Sequence, residues 1–211
     1  MKITPRLAVL PLIVLALGGC TLIGGGGGAA EEAGTGGSAG GEEELEGGAT
    51  ACLVGREWIL DTEDAAAQLG EMLTANGLSI VSTSPSGGQT IWFDSDGNAG
   101  TSTVLAYTIV ANLDSGMVMT MVQRHEGEPG GQWVWADETE AAVTFLGWGT
   151  NYSVTTDTSI NGRATPTSTM PAGGLGGLDG QVMTISCDGD GLTTQLADNP
   201  FVMHWVAGAS R

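Results

Sequence analysis

The sequence predicts a mainly β protein, an antiparallel meander that closes as a barrel of about eight to ten strands, with one α-helix after the first strand. Three observations lead to this fold class. Most of the chain after residue 78 consists of short β-prone segments separated by turn residues, an earlier segment has helical periodicity, and polar and apolar side chains alternate along several segments.

The first strand and the helix are predicted between residues 53 and 77. Residues 53–60 (LVGREWIL) are β-prone, and Asp61 follows at an N-cap position with Asp64 three residues later, as in a capping box. Asn76-Gly77 is predicted to end the helix, because glycine readily adopts the left-handed backbone conformation found after the last helical turn. The apolar side chains at helical spacing between these signals are Ala65, Leu69, Met72 and Leu73.

Further strands are predicted to follow, joined by turns such as Pro85-Ser86-Gly87-Gly88, Asp96-Gly97-Asn98 and Asp114-Ser115-Gly116. Residues 163–180, rich in Gly, Pro and Thr, are predicted to form a loop that acts as a flap over one end of the barrel. The alternation that predicts a buried strand face is formed by Tyr152, Val154, Thr156, Thr158 and Ile160. The predicted strands are 78–84, 89–94, 101–111, 117–125, 132–136, 142–146, 152–161, 182–187, 192–195 and 201–206.

The first nineteen residues have the pattern of a secretory signal peptide. Two basic residues, Lys2 and Arg6, precede an unbroken apolar stretch, and a small Gly18-Gly19 pair follows it. The apolar stretch is only about half of the ~20 residues that a membrane-spanning helix needs, and Pro11 interrupts it. A cleaved signal over residues 1–19 is therefore favoured over a retained membrane anchor.

Leu17-Gly18-Gly19-Cys20 resembles the lipobox of bacterial lipoproteins. The resemblance implies cleavage before Cys20, a diacylglyceryl thioether on its sulfur, further acylation by a fatty acid such as palmitate, and a place on the outer face of the cytoplasmic membrane. Two or more acyl chains give stable anchoring, whereas one chain does not. The alternative is an ordinary signal peptide with an incidental cysteine.

The mature chain is predicted to consist of the lipidated Cys20 with a disordered tether over residues 20–50, followed by a β-barrel domain over residues 51–211. The tether contains 12 glycines among residues 24–50 and almost no apolar residue, so it cannot offset the entropy of ordering. Without the signal peptide the chain has no lysine and four arginines against 24 acids, a formal charge of −20. Such a surface repels phosphate backbones and argues against nucleic-acid binding. The same acidity is also typical of proteins from high-salt habitats.

Two cysteines remain once Cys20 is assigned to the lipid, namely Cys52 and Cys187. Disulfides form and persist outside the cytoplasm, so we predict that the two are bridged. Such a bridge would join the start of the first strand to a late strand. The alternatives are two buried free thiols or a metal pair, but two sulfurs without a nearby histidine make a poor zinc site.

Several short motifs, taken in their order along the chain, resemble lipocalin-like lipoproteins of high-GC Gram-positive bacteria. The resemblance covers most of residues 51–206 and implies a lipocalin-like β-barrel with a helix after the first strand. Most members of that family have no assigned activity, so it implies no catalytic residue. The motifs are Cys52-x-x-Gly55-x-x-Trp58-x-Leu60-Asp61, Phe93-Asp94-x-Asp96-Gly97, Trp133-x-Trp135, Tyr152-x-Val154-Thr155-Thr156, Ser186-Cys187-Asp188-Gly189-Asp190 and Phe201-x-x-x-Trp205.

A stripe of methionines, Met117, Met119 and Met121, is predicted to lie on one strand face, with Trp133 and Trp135 in the next strand. If these side chains point inward, they line a soft, aromatic cavity that suits an irregular apolar ligand. In the other interpretation the methionines fill the core and the tryptophans close one end, and an eight-stranded barrel is just wide enough for either arrangement. Core filling is favoured on general grounds, because large apolar side chains are usually buried.

No catalytic, cofactor or metal site is predicted. The segment Asp94-Ser95-Asp96-Gly97-Asn98 resembles a calcium loop but lacks the later glycine and glutamate, so it and Asp188-Gly189-Asp190-Gly191 are predicted to be hairpin turns. His125 and His204 have no partner at a spacing that suggests a triad or a metal site.

The first hypothesis is therefore a monomeric, lipid-anchored extracytoplasmic protein of unassigned activity, a binding or accessory module for which a small apolar molecule is the candidate ligand. The main alternative is a structural or protein-interaction lipoprotein of the cell envelope, with a filled barrel and an exposed apolar patch. An envelope hydrolase is the third hypothesis.

Overall fold

The computed structural model describes residues 48–114, 116–170, 177–197 and 199–210. The predicted signal peptide, Cys20 and nearly all of the predicted tether lie outside the described residues, as does Ser115 of one predicted turn.

The described residues form two helices, α1 (Ala49–Leu53) and α2 (Thr62–Ala75), and twelve strands. In chain order the strands are β1 (Arg56–Leu60), β2 (Ser79–Phe93), β3 (Asn98–Asn112), β4 (Val118–Gly127), β5 (Gly130–Trp135), β6 (Ala142–Leu146), β7 (Tyr152–Ile160), β8 (Arg163–Ala164), β9 (Ser168–Met170), β10 (Val182–Asp188), β11 (Gly191–Leu196) and β12 (Met203–Ser210).

Eight of the described strands close an antiparallel barrel, in the order β2-β1-β12-β11-β10-β6-β5-β3. The pairing of β2 with β3 closes the ring. The predicted fold class, a mainly β protein with an antiparallel barrel and a helix after the first strand, is confirmed.

Large side chains fill the barrel interior. The rings of Phe93 and Trp133 meet edge to face, with centroids 5.5 Å apart, and Phe145 lies 6.3 Å from Phe93. The burial of these large apolar side chains makes the main stabilising contribution to the folded barrel. The inward-facing side chains, each at most 7 % exposed, include Trp58, Ile91, Phe93, Trp133, Phe145, Met183, Leu192 and Trp205.

A second part of the sheet projects from the barrel. Residues 98–100 of β3 pair with β5 and belong to the barrel, whereas residues 103–112 pair with β4. Strand β4 then pairs with β7, and β7 pairs with β8 and β9. We call residues 79–89 and 103–112, together with β4, β7, β8 and β9, the extension. The sequence did not predict it.

Helix α2 forms as predicted. The Asp61 side chain accepts a hydrogen bond from the backbone N–H of Asp64 (3.0 Å), and Gly77 takes the positive φ of 91° that ends the helix. Its apolar face, including Leu69 and Leu73, is buried. Gln68 fastens the helix to the chain before β12, because its amide donates to the carbonyl of Val202 (2.6 Å) and accepts from its N–H (3.0 Å).

The turn predicted at residues 85–88 is wrong, because β2 runs through it without a break. Pro85 pairs with Tyr107, and Gly87 pairs with Leu105. In the described residues this half of β2 has β3 as its neighbour on one side, while β1 pairs only with residues 90–92. A proline is tolerated on such an edge, since its missing N–H is not needed for pairing.

Gly87 is the residue that allows this long strand to pass so close to its neighbour. Its φ is +83°, and a Cβ there would lie 2.0 Å from the carbonyl oxygen of Val104, whereas a Cβ on Gly88 would meet nothing within 4 Å. We therefore expect Gly87→Ala to lower the free energy of unfolding by more than about 1 kcal/mol. Gly88→Ala is the matched control and should change it by much less. Denaturant unfolding measures both, and equal effects would contradict the reason given for Gly87.

The start of the domain differs from the prediction. Residues 49–53 form α1 rather than the end of the tether and the start of a strand, and β1 begins only at Arg56. Leu53 is fully buried, and the indole of Trp58 donates to its carbonyl (3.1 Å). Burial of one apolar side chain against the barrel end thus outweighs the β propensity of this segment.

The predicted disulfide between Cys52 and Cys187 is confirmed, with the two Cα atoms 6.1 Å apart. It joins α1 to β10, across a sequence separation of 135 residues.

The loop predicted at residues 163–180 is only partly irregular, because β8 and β9 add to the edge of β7. Residues 171–176 lie outside the described part of the chain.

Candidate functional site

The candidate site lies on the extension, on the face that continues the barrel interior. We call it the inner face. Because paired residues of antiparallel strands share a face, the register defines its members across β3, β4 and β7. They are Leu105, Tyr107, Ile109 and Ala111 of β3, Met119, Met121, Gln123 and His125 of β4, and Tyr152, Val154, Thr156, Thr158 and Ile160 of β7. The predicted alternation of β7 is thereby confirmed.

One end of the inner face carries a cluster of three rings. The Nδ1 atom of His125 and the hydroxyl of Tyr152 share a hydrogen bond of 2.8 Å. The ring of Tyr107 meets the His125 ring edge to face, with centroids 5.9 Å apart. The Nε2 atom of His125 is buried and has no hydrogen-bond partner among the described residues.

Burial keeps all three rings uncharged at neutral pH. It lowers the pKa of His125 to about 4 and raises the pKa of Tyr107 to about 12. The pKa of Tyr152 is also raised, first by burial and then by the neighbouring Tyr107. Because desolvation disfavours the charged form of each group, the cluster presents hydrogen-bonding atoms without a charge.

A second buried polar atom lies beside this cluster. Thr156 pairs with Gln123 and is therefore one diagonal position from His125 on the same face. Its hydroxyl is buried and has no hydrogen-bond partner in the described part of the chain. Leaving a buried polar group unsatisfied costs about 1–3 kcal/mol, so two such atoms together are unusual in a stable domain.

The other end of the inner face is apolar. Met119 and Met121 of β4 and Ile160 of β7 are half-buried, and Met121 packs against the main core. Methionine side chains are flexible and polarisable, so they adapt to irregular apolar shapes. The inner face therefore has an apolar end and an uncharged polar end.

Charged side chains lie mainly on the opposite face of the extension. Arg124 of β4 forms an ion pair with Asp157 of β7, and Thr167 donates to the same carboxylate (2.6 Å). These hydrogen bonds, from Thr167 first and then Arg124, lower the pKa of Asp157. Arg163 of β8 pairs with Ile160 and is exposed at the edge of the inner face, at its apolar end.

The structure separates the residues that the sequence grouped as a candidate lining. Trp133 and Trp135 lie in β5 inside the barrel, with their rings 5.3 Å apart, and Trp135 donates to the hydroxyl of Thr50 in α1. Met119 and Met121 lie on the extension, and β5 does not pair with their strand. Met117 precedes β4 and is 37 % exposed. Sequence reasoning missed His125, Tyr107 and Thr156, whose grouping depends on strand register.

A groove of about 530 Å³ lies between α2 and residues 80–83 of β2, at the apolar end of the same face, because Ile80 pairs with Ala111 and Thr83 pairs with Ile109. It is lined mostly by small side chains, such as Ala66, Gly70 and Ala75, and it is wide open. Few groups in the groove could fix the orientation of a ligand, so the polar end of the inner face is the stronger candidate for a head-group site.

The two acidic turns are hairpin turns, as predicted. Asp94 receives a hydrogen bond from the backbone N–H of Asn98 (2.7 Å) in the β2–β3 turn, and Asp188 pairs with Gly191 in the β10–β11 turn. No group of three or more His, Cys, Asp or Glu side chains within the described residues is placed to hold a metal ion.

The second histidine, His204, pairs with Asp64 of α2 (2.9 Å), and this hydrogen bond lowers the pKa of Asp64.

Within the ranges described, neither helix has the length and apolar character needed to cross a membrane. Comparisons with protein-family models, curated proteins and solved structures find no match to this chain. The fold and the site therefore define it as a disulfide-bonded β-barrel protein with a projecting sheet.

The burial of His125 makes stability depend on pH. Its pKa of about 4 in the folded protein lies below the ordinary value of 6.5, so the unfolded chain binds the proton first as the pH falls. The stabilising contribution is complete above pH 6.5 and is lost as the pH falls towards 4. We expect the difference in unfolding free energy between wild type and His125→Leu to change by about 2 kcal/mol between pH 7.5 and pH 5. An unchanged difference, measured by urea unfolding at both pH values, would contradict this burial.

Proposed function

We propose that the chain is an extracytoplasmic lipoprotein, anchored through Cys20 to the outer face of the cytoplasmic membrane, whose domain binds a small, mainly apolar molecule on the inner face. As in the resemblance to lipocalin-like lipoproteins, the chain is a lipid-anchored β-barrel protein. The proposed ligand site, however, lies on the extension and not inside the barrel. One observation carries it. The barrel interior is filled by side chains, whereas Met119, Met121 and Ile160 are only half-buried and lie on the same face as the buried polar cluster.

The anchor is supported by the basic start, the short apolar stretch and the Leu17-Gly18-Gly19-Cys20 motif. Its test is metabolic labelling with a clickable palmitate analogue in the native host. Wild type should be labelled and sediment with membranes, and Cys20→Ser should be unlabelled. Labelling that persists in Cys20→Ser would overturn the anchor.

Binding is tested by native mass spectrometry of the mature chain carrying Cys20→Ser, purified gently from its own host. We expect a retained small molecule in addition to the mass of the oxidised chain. The double variant Met119→Gln, Met121→Gln should lose the molecule, because two polar amides replace the apolar contacts. Met117→Gln is the matched control, since Met117 lies outside the strand. A bare mass for the wild type would overturn the proposed binding.

A second function, docking of an envelope protein, is favoured by one observation on the outer wall of the barrel. Val134 of β5 and Val182 of β10 flank Thr144 of β6 in one row, and Leu146 lies two residues further along β6. The three apolar side chains are 37–47 % exposed. Adjacent exposed apolar residues of this kind often mark interaction surfaces. Crosslinking from a photoreactive residue at position 134 in the native host tests it, and the absence of any crosslinked protein would count against it.

A further inference from the structure

The polar end of the inner face indicates which chemical group a ligand would present there. The inference about this group rests on the proposed function, and it names the class of ligand. The Nδ1 atom of His125 is already bonded to Tyr152, so Nε2 is the ring atom left to bind a ligand. The hydroxyl of Thr156, one diagonal position away, is a second buried hydrogen-bonding atom without a partner among the described residues.

The inner-face residues of β3, β4 and β7 offer no counter-ion to an ionised group bound at His125. None of the inner-face residues on β3, β4 and β7 is a lysine, arginine, aspartate or glutamate, although the chain has 24 acids. A carboxylate or an ammonium group buried beside His125 would lose its hydration without gaining a counter-ion. A hydroxyl group, in contrast, can both donate and accept, so it suits either tautomer of the histidine.

The dimensions of the face set the size of the apolar part. His125 and Met121 are four positions apart on β4, which corresponds to about 13 Å along a strand. Met119 lies two residues further, at about 20 Å. A chain of about ten carbon atoms bound at His125 would therefore reach the Met121 side chain.

We infer that the inner face binds an uncharged molecule that places a hydroxyl or carbonyl oxygen at His125 Nε2 and Thr156 Oγ1 and lays an apolar body along Met121 and Met119. A ligand with an anionic head group would bind in the reverse orientation. Its head group would pair with Arg163, which lies at the other end of the inner face from His125. The two orientations are distinguished by the charge of the head group.

The test compares three probes of equal chain length, 1-decanol, decanoate and decylammonium, by titration calorimetry on the mature chain carrying Cys20→Ser at pH 7.5. We expect decanol to bind at least tenfold more tightly than either ion. His125→Phe keeps a ring of similar size and should weaken decanol binding about tenfold, the equivalent of one hydrogen bond. His204→Phe, at the other histidine, should leave it unchanged.

Thr156→Val is a second variant that keeps side-chain shape and should also weaken decanol binding. Decanoate binding as tightly as decanol, or unchanged decanol binding in both site variants, would overturn the inference while leaving the proposed function standing. If none of the three probes binds and the protein from its host carries no molecule, the proposed function itself fails.

Discussion

Removing the disulfide by the double substitution Cys52→Ser, Cys187→Ser should lower the free energy of unfolding by about 5 kcal/mol. The bridge spans 135 residues, and a loop of that length gives a large loss of entropy in the unfolded chain. It also holds α1 against β10, where Leu53 of α1 is fully buried. A contribution of that magnitude is a large fraction of the about 5–15 kcal/mol by which native domains are stable.

Urea unfolding of the oxidised wild type, the reduced wild type and the double variant measures this effect. The reduced wild type is the control, and it should match the variant because both lack the bridge. A loss below about 1 kcal/mol in both would contradict the stabilising role given to the bridge. A loss in the variant alone would indicate that the serines, rather than the missing bond, are responsible.

Phe145→Ala should lower the free energy of unfolding by about 3–5 kcal/mol. Phe145 is fully buried in the barrel and lies 4.9 Å from the ring of Trp148 and 6.3 Å from that of Phe93. Its removal leaves a cavity that the neighbouring rings cannot fill. The size of this loss reports directly how tightly the barrel interior is packed.

The matched control is the next residue on the same strand, Leu146→Ala. Leu146 points outward and is 43 % exposed, so its truncation should cost less than about 1 kcal/mol. Thermal or denaturant unfolding of both variants makes the comparison. Similar losses for the two would contradict a filled interior, because an aromatic ring in an open barrel makes few contacts.

Local patterns predicted the elements and the barrel, but not the projecting sheet. The helix could be predicted because Asp61, Gly77 and the apolar spacing act within the helix itself. The break at residues 85–88 was wrongly predicted because Pro85 and Gly87 are tolerated by an edge strand, a property of the neighbours and not of the segment. The extension arises because β3 changes partner from β5 to β4 along its length.

Strand pairing, which local patterns do not predict, also determines the candidate site. The methionine stripe was visible in the sequence, and Met119 and Met121 do share a face. The sequence placed Trp133 and Trp135 with them, whereas strand pairing carries the tryptophans into the barrel. His125 joins Tyr107 and Tyr152 only through pairings across three strands, so spacing along the chain could not reveal the cluster.

The central claim is that a ligand binds on the inner face and not inside the barrel. Its most direct test is NMR of the mature chain carrying Cys20→Ser and ¹³C-labelled methionine methyl groups, titrated with decanol. Met119 and Met121 report on the inner face, while Met183, 1 % exposed, reports on the barrel interior. The expected result is that the signals of Met119 and Met121 shift with decanol and that of Met183 does not. A larger shift at Met183, or no shift at Met119 and Met121, would contradict the account.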